Sequence, residues 1–348
     1  MLKHFIGLFI ALCATAMLSE GCVSKWSPNL EPNPEPIQWV DQSNFARARH
    51  LMTIKGFIET GTSVPHALKY MVFGRSGNDA LIVRPVAVAI GSDERIAIAD
   101  QGQPCVHLYV PSEHLYRKIS VGGKEQLRTP VSVAFDDQSR LYVSDSSNRA
   151  IYIFDRTGEY LQTIKKAGSD SLQRPTGLSY SSRAKTLYAV DTLASRVYAY
   201  TTEGTLLFSF GENGAGTGQF NFPTHITTAP DGKLYVIDAM NFRVQIFTPS
   251  GKFLSSFGRH GNGSGDFAMP KGIVVDKSNI IYIVDTLFDN IQLFNVTGDF
   301  LFTIGGRGSG TGEFSMPSGL YLDSQNKLYV CDTYNQRVQI IQITESEK

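Results

Sequence analysis

The chain has 348 residues, with 32 basic and 32 acidic side chains, a formal net charge of zero and 32 glycines. That balance lacks the basic footprint of a nucleic-acid binder, and no apolar run beyond residue 18 is long enough to cross a bilayer. The dominant signal is repetition at a fixed interval, and it has to be settled before any local motif is trusted.

At the N-terminus, Lys3 and His4 precede the apolar stretch "FIGLFIALCATAML" and then small residues, the pattern of a secretory signal spanning residues 1–21. Ser19-Glu20-Gly21-Cys22 resembles a bacterial lipobox, which implies acylation of Cys22 and anchoring of the chain to a membrane. With Val23 beside that cysteine, the resemblance implies the outer membrane. Plain secretion with cleavage after Ala14-Thr15-Ala16 is the other reading. Residues 22–46 carry Pro28, Pro32, Pro34 and Pro36 among polar residues, which predicts an extended tether.

From residue 47 to 343 two markers keep one beat. Prolines stand at Pro85, Pro130, Pro175, Pro223, Pro270 and Pro317, and aspartates at Asp100, Asp145, Asp191, Asp238, Asp285 and Asp332. Both series advance by 45 to 48 residues, as the residue numbers show. Each repeat holds four strand-sized runs, such as "HITTA", "KLYVID", "RVQIFT" and "FLSSFG", separated by turns such as Pro230-Asp231-Gly232. Four antiparallel strands at this period describe a propeller blade, so the predicted fold is all-β, a six-bladed β-propeller of four-stranded antiparallel blades. The sixth repeat ends after its third strand. Leu51-Met52-Thr53-Ile54 parallels Leu301-Phe302-Thr303-Ile304, so the segment Arg47 to Phe57 is expected to complete the last blade and leave no open edge, with "LKYMVFGRSG" as the alternative. Residues 344–348 form a short tail.

The glycine-rich run "GGRGSGTG" at Gly305–Gly312 is not read as a phosphate cradle. It recurs as "FGRHGNGSGDFAMP" and "FGENGAGTGQFNFP", and Pro317 disfavours the helix such a cradle needs.

An aspartate closing a β-run, with asparagine three and arginine five residues later, resembles the NHL repeat. It is complete as Asp238, Asn241, Arg243 and as Asp332, Asn335, Arg337, and degraded elsewhere. The resemblance implies that these residues tie the turn after the second strand to its own blade and the next. It also implies a scaffold used by binding proteins, sensors and a few metal-dependent enzymes. In such enzymes the ligands sit at the tops of the innermost strands. The twelve positions two and four residues after the six prolines hold one histidine, His225, and no carboxylate; Ser132 is another polar member. Neither a zinc nor a calcium ligand set is visible there, and no cofactor is expected.

The glycine-rich links and the post-aspartate turns are expected on one face. That face would carry Leu193, Met240, Phe242, Leu287, Phe288 and Tyr334, with Arg259, His260 and Arg307 between them, as a contact surface for an envelope protein or polysaccharide. The alternative is that the apolar groups tuck against neighbouring blades. A non-catalytic scaffold is the leading reading. A lyase or lactonase-like enzyme around His225 and a small-ligand sensor in the channel are the others. Cys105 and Cys331 lie in blades one and six, where a disulfide is conceivable, although a cysteine in a β-run is more often a small core residue.

Overall fold

The computed structural model describes residues 25–33, 37–40, 46–60 and 80–344. The signal segment, Cys22 and the alternative closing strand "LKYMVFGRSG" lie outside the described residues.

Blades one to five are separate four-stranded antiparallel sheets with strands in chain order. Blade four shows the plan: Pro223–Thr228 innermost, then Leu234–Asp238, Arg243–Phe247 and Phe253–Phe257 at the rim. The repeat prolines open the inner strands of these five blades, a position where the missing N–H breaks no ladder. In blade six the inner strand begins later, at Leu320.

Second and third strands are rich in Val, Ile, Tyr and Phe and are buried on both faces, because each blade is covered on either side by another. The rim strands alternate half-buried and exposed residues, as in Leu206–Phe210. Six apolar clusters follow, one at each junction between neighbouring blades; Tyr235 and Ile237 of blade four, for instance, pack with Ile273 and Ile283 of blade five.

Blade six is completed from the N-terminus. β1 is Lys25–Pro32, β2 is Gln38–Val40 and β3 is Ala46–Thr60. β3 pairs antiparallel with Arg337–Ile343, placing Ala48 opposite Ile343 and Ile54 opposite Val338, as the sequence predicts. The segment expected to be a free tether is different. β1 pairs along β3 with Pro28 opposite Phe57 and Pro32 opposite Met52, and β2 pairs with β3 as well. Polyproline-like backbone is already close to a strand, and prolines are tolerated on an edge. Trp26 also reaches blade one, where its ring lies 4.8 Å from that of Tyr116 and its backbone N–H donates to the His114 carbonyl at 2.7 Å. The segment therefore straps the junction between blades six and one.

Cys105 and Cys331 are free and buried. Cys105 lies 3.6 Å from the His107 Nε2, and burial pushes its thiol up to about 12. The disulfide considered from sequence is not formed.

Candidate functional site

The repeat aspartates organise the glycine-link face. Asp238 is fully buried; its Oδ1 accepts the Asn221 N–H at 2.6 Å and its Oδ2 accepts Arg243 Nε at 2.8 Å and Asn241 Nδ2 at 2.9 Å. Asn241 also donates to the Gly214 carbonyl, and Arg243 Nη2 to those of Gly216 and Gln219. Blade six repeats this with Asp332, Asn335 and Arg337 on Gly308, Gly310 and Glu313. The clasp therefore grips the link leading in from the preceding blade.

Contact with the next blade is made by the threonine after the aspartate. Thr192, Thr286 and Thr333 donate to the carbonyls of Pro223, Pro317 and Pro85. Glutamines in the third strand, which sequence reading missed, complete the arrangement: Gln245, Gln292 and Gln339 accept the N–H of Gly218, Gly265 and Gly312. Around Gly305–Gly312 the amides are likewise spent, Gly308 on the Phe314 carbonyl and Gly310 on the Glu313 carboxylate. The link is a strut, with its backbone committed to the fold.

On the turns after the repeat aspartates Leu193, Met240, Leu287 and Tyr334 are each at least half exposed, and Phe222 and Met269 on the links, not singled out in the sequence, are exposed too. Thr192, next to Leu193, donates to the carbonyl of Pro223, next to Phe222. Met240 N–H donates to the Asn221 carbonyl, and Thr286 N–H to that of Met269. Arg84 of blade one lies over the Tyr334 ring at 5.5 Å. An apolar crescent thus runs along blades three to six.

Phe242 and Phe288 are half-buried and less available; the Phe242 ring packs on His260 at 4.3 Å. Arg259 and Arg307 are exposed but engaged by Asp266 and Asp289.

The channel holds a cavity of about 1140 Å³ lined by the innermost strands. Its lining includes Ser92, Glu94, Asp137, Ser182 and Ser324 from the turns between first and second strands, so it opens on the opposite face. At its other end stand Ser132 and His225. Ser132 is structural: its Oγ accepts the Leu178 N–H of the next blade at 3.1 Å. His225 Nδ1 is sealed from solvent and has no hydrogen-bond partner. Burial and the nearby Lys271 charge push its pKa down to about 3, so the ring is neutral. Among the described residues no three His, Cys, Asp or Glu side chains converge as a metal site.

A family model described as "6-bladed beta-propeller" matches residues 227–291, and one described as "NHL repeat" matches residues 314–341. The chain is an NHL-type six-bladed propeller. No curated protein matches this propeller in sequence. Among solved structures it is similar to a streptogramin B lyase, 12% identical with a TM-score of 0.56 over 75% of this chain and 93% of that one. It is also similar to virginiamycin B lyase from Staphylococcus aureus, 12% identical with a TM-score of 0.56 over 76% and 96%. An auxiliary nutrient binding protein from Bacteroides thetaiotaomicron is 16% identical, with a TM-score of 0.55 over 75% and 69%. At these identities the likeness is one of fold.

Proposed function

We propose that this propeller is a non-catalytic binding scaffold of the bacterial envelope, held to the outer membrane through a lipid on Cys22, and that the glycine-link face receives a protein partner. The fold does not choose among functions, since the similar structures include lyases and a nutrient binding protein. What favours binding is the exposed crescent of Leu193, Met240, Leu287 and Tyr334 on turns fixed by buried hydrogen bonds. Large apolar groups on preorganised backbone bind with little ordering cost, as interface anchors do. A protein is preferred over a polysaccharide because three of the four crescent residues offer aliphatic side chains in place of polar groups, and Arg259 and Arg307 are engaged by aspartates.

The experiment is site-specific photocrosslinking from positions 240 and 287 in intact envelopes, with position 252 on the rim as control. One protein crosslinked from both crescent positions, absent from the control and lost in Leu287→Asp, supports the reading. A glycan captured in its place, or equal crosslinking from all three positions, overturns it.

A further inference from the structure

The glycine-link face is divided by charge, and the division begins in the links. Those leading into blades four, five and six are glycine-rich, whereas those leading into blades two and three are short hairpins, Val121–Gly122 with Glu125–Gln126 and Lys166–Ala167 with Asp170–Ser171. They turn at Gly123 and Gly168, at φ 65° and 66°, where glycine meets no steric cost. Asn148 Nδ2 donates to the Gln126 carbonyl at 2.7 Å, and the N–H groups of Arg128 and Arg174 donate to Asp145 and Asp191. Hairpins and post-aspartate turns therefore share this face.

Lys124, Arg128, Arg149, Lys166 and Arg174 stand exposed on these hairpins, links and turns, and among the described residues none of their side chains is held by a hydrogen bond or ion pair. Arg149 shows the origin: blade two has Ala150 where blades four and six place the clasp arginine, and Arg149, one residue earlier at φ 52°, is left exposed. Glu125 and Asp170 are the exposed carboxylates on the same hairpins, and Glu125 is spent on Lys165 at 2.6 Å. In blades four to six the arginines are engaged instead, Arg243, Arg259, Arg307 and Arg337 by aspartates, and Glu212 and Glu313 are exposed. In a chain of net charge zero this is a segregated field of one sign, which draws an oppositely charged partner. It adjoins the crescent, because Thr192, next to Leu193, donates its N–H to the Arg174 carbonyl at 3.0 Å.

We propose that blades two and three bind an acidic protein segment, a run of aspartate and glutamate side chains, through Arg128, Arg149, Lys166 and Arg174. This rests on the reading that the face receives a protein and specifies that protein's chemistry: an apolar patch for the crescent, with a carboxylate-rich one beside it. Arginine meets a carboxylate through two parallel donors and lysine adds a point charge. An acidic segment is preferred over an anionic lipid surface because a flat negative surface laid across the whole face would also meet the exposed Glu212 and Glu313.

Titration of a fluorescent oligoglutamate peptide with the whole exported chain, read by anisotropy, tests the assignment. Wild type should bind at about 50 mM salt and lose about tenfold or more in affinity at about 500 mM. The triple variant Arg149→Glu, Lys166→Glu, Arg174→Glu replaces exposed, unpaired side chains and so should fold; it is expected to lose about tenfold or more, and the corresponding glutamine triple somewhat less. Lys252→Glu makes the same kind of charge change on the rim of blade four and should cost less than about twofold. Crosslinking from positions 240 and 287 reads the crescent and peptide titration reads the cations, so the two readings fail separately. Affinity kept in both triple variants, an equal loss in Lys252→Glu, or no peptide binding to wild type up to ~1 mM overturns the proposal. Phosphatidylglycerol vesicles that displace the peptide, where phosphatidylcholine vesicles do not, overturn it in favour of lipid.

Discussion

At Asp332 one fully buried carboxylate gathers Arg337 Nε at 2.7 Å, Gln339 Nε2 at 3.0 Å, Asn335 Nδ2 and the Ser315 N–H. Buried charge is tolerated when its partners are complete, and removing one partner is far costlier than the net worth of the pair. Arg337→Met keeps most of the side-chain volume but leaves the carboxylate without its cation. It also strips the Gly310 and Glu313 carbonyls of a donor. The expected loss is about 3 to 5 kcal/mol, read as a lower urea midpoint; a loss under about 1 kcal/mol would mean that the clasp is ornamental. By contrast Arg307, exposed and 3.5 Å from Asp289, should cost under about 1 kcal/mol when replaced by alanine.

Blade five is one of the blades in which the clasp has decayed. Asp285 is fully buried and accepts backbone N–H groups from Ala268, Met269, Leu287 and Phe288, but Phe288 and Asn290 stand where blades four and six have asparagine and arginine. Burial raises the Asp285 pKa, and the Asn290 Oδ1 is itself buried without a partner. For an acid raised on folding, the unfolded chain ionises first. Stability therefore falls as pH climbs from about 3.8 through the folded pKa, and the penalty is complete above it. The double variant Phe288→Asn, Asn290→Arg should stabilise the protein by about 1 to 2 kcal/mol at pH 7, with a smaller gain near pH 4. Chemical denaturation at the two pH values checks this, and a gain independent of pH would remove Asp285 as its cause.

The proline and aspartate beat made each blade's strands legible in sequence, because both residues hold fixed places in the turn chemistry. Gln245, Gln292 and Gln339 were not legible. A glutamine within an apolar strand shows no purpose until the link amide that needs its oxygen, 27 residues earlier in the chain, is brought beside it. His225 and Ser132 were found as channel residues.

Across the whole molecule, stability comes from nearest-neighbour blade contacts, and a ring differs from a linear array in having one more junction and no free end. That junction is built by β3. It covers the edge of Arg337–Ile343 and sends Ile54 and Phe57 into the cluster shared with Ile98 of blade one and Tyr329 of blade six. A chain beginning at residue 46 keeps this strand and loses only the β1 and β2 strap, including the Trp26 contact to Tyr116. It should remain a monomer with a single cooperative melt at a lower temperature. A chain beginning at residue 61 loses β3, which leaves the N–H and C=O groups of blade six unpaired along an edge flanked by Ile340 and Ile341. Such an edge templates pairing with another chain, so this variant should elute as oligomers or aggregate. Size exclusion and calorimetry on the two truncations separate these outcomes. A cooperative monomer starting at residue 61 would show that closure through β3 is dispensable, and that the six inter-blade clusters hold the ring without it.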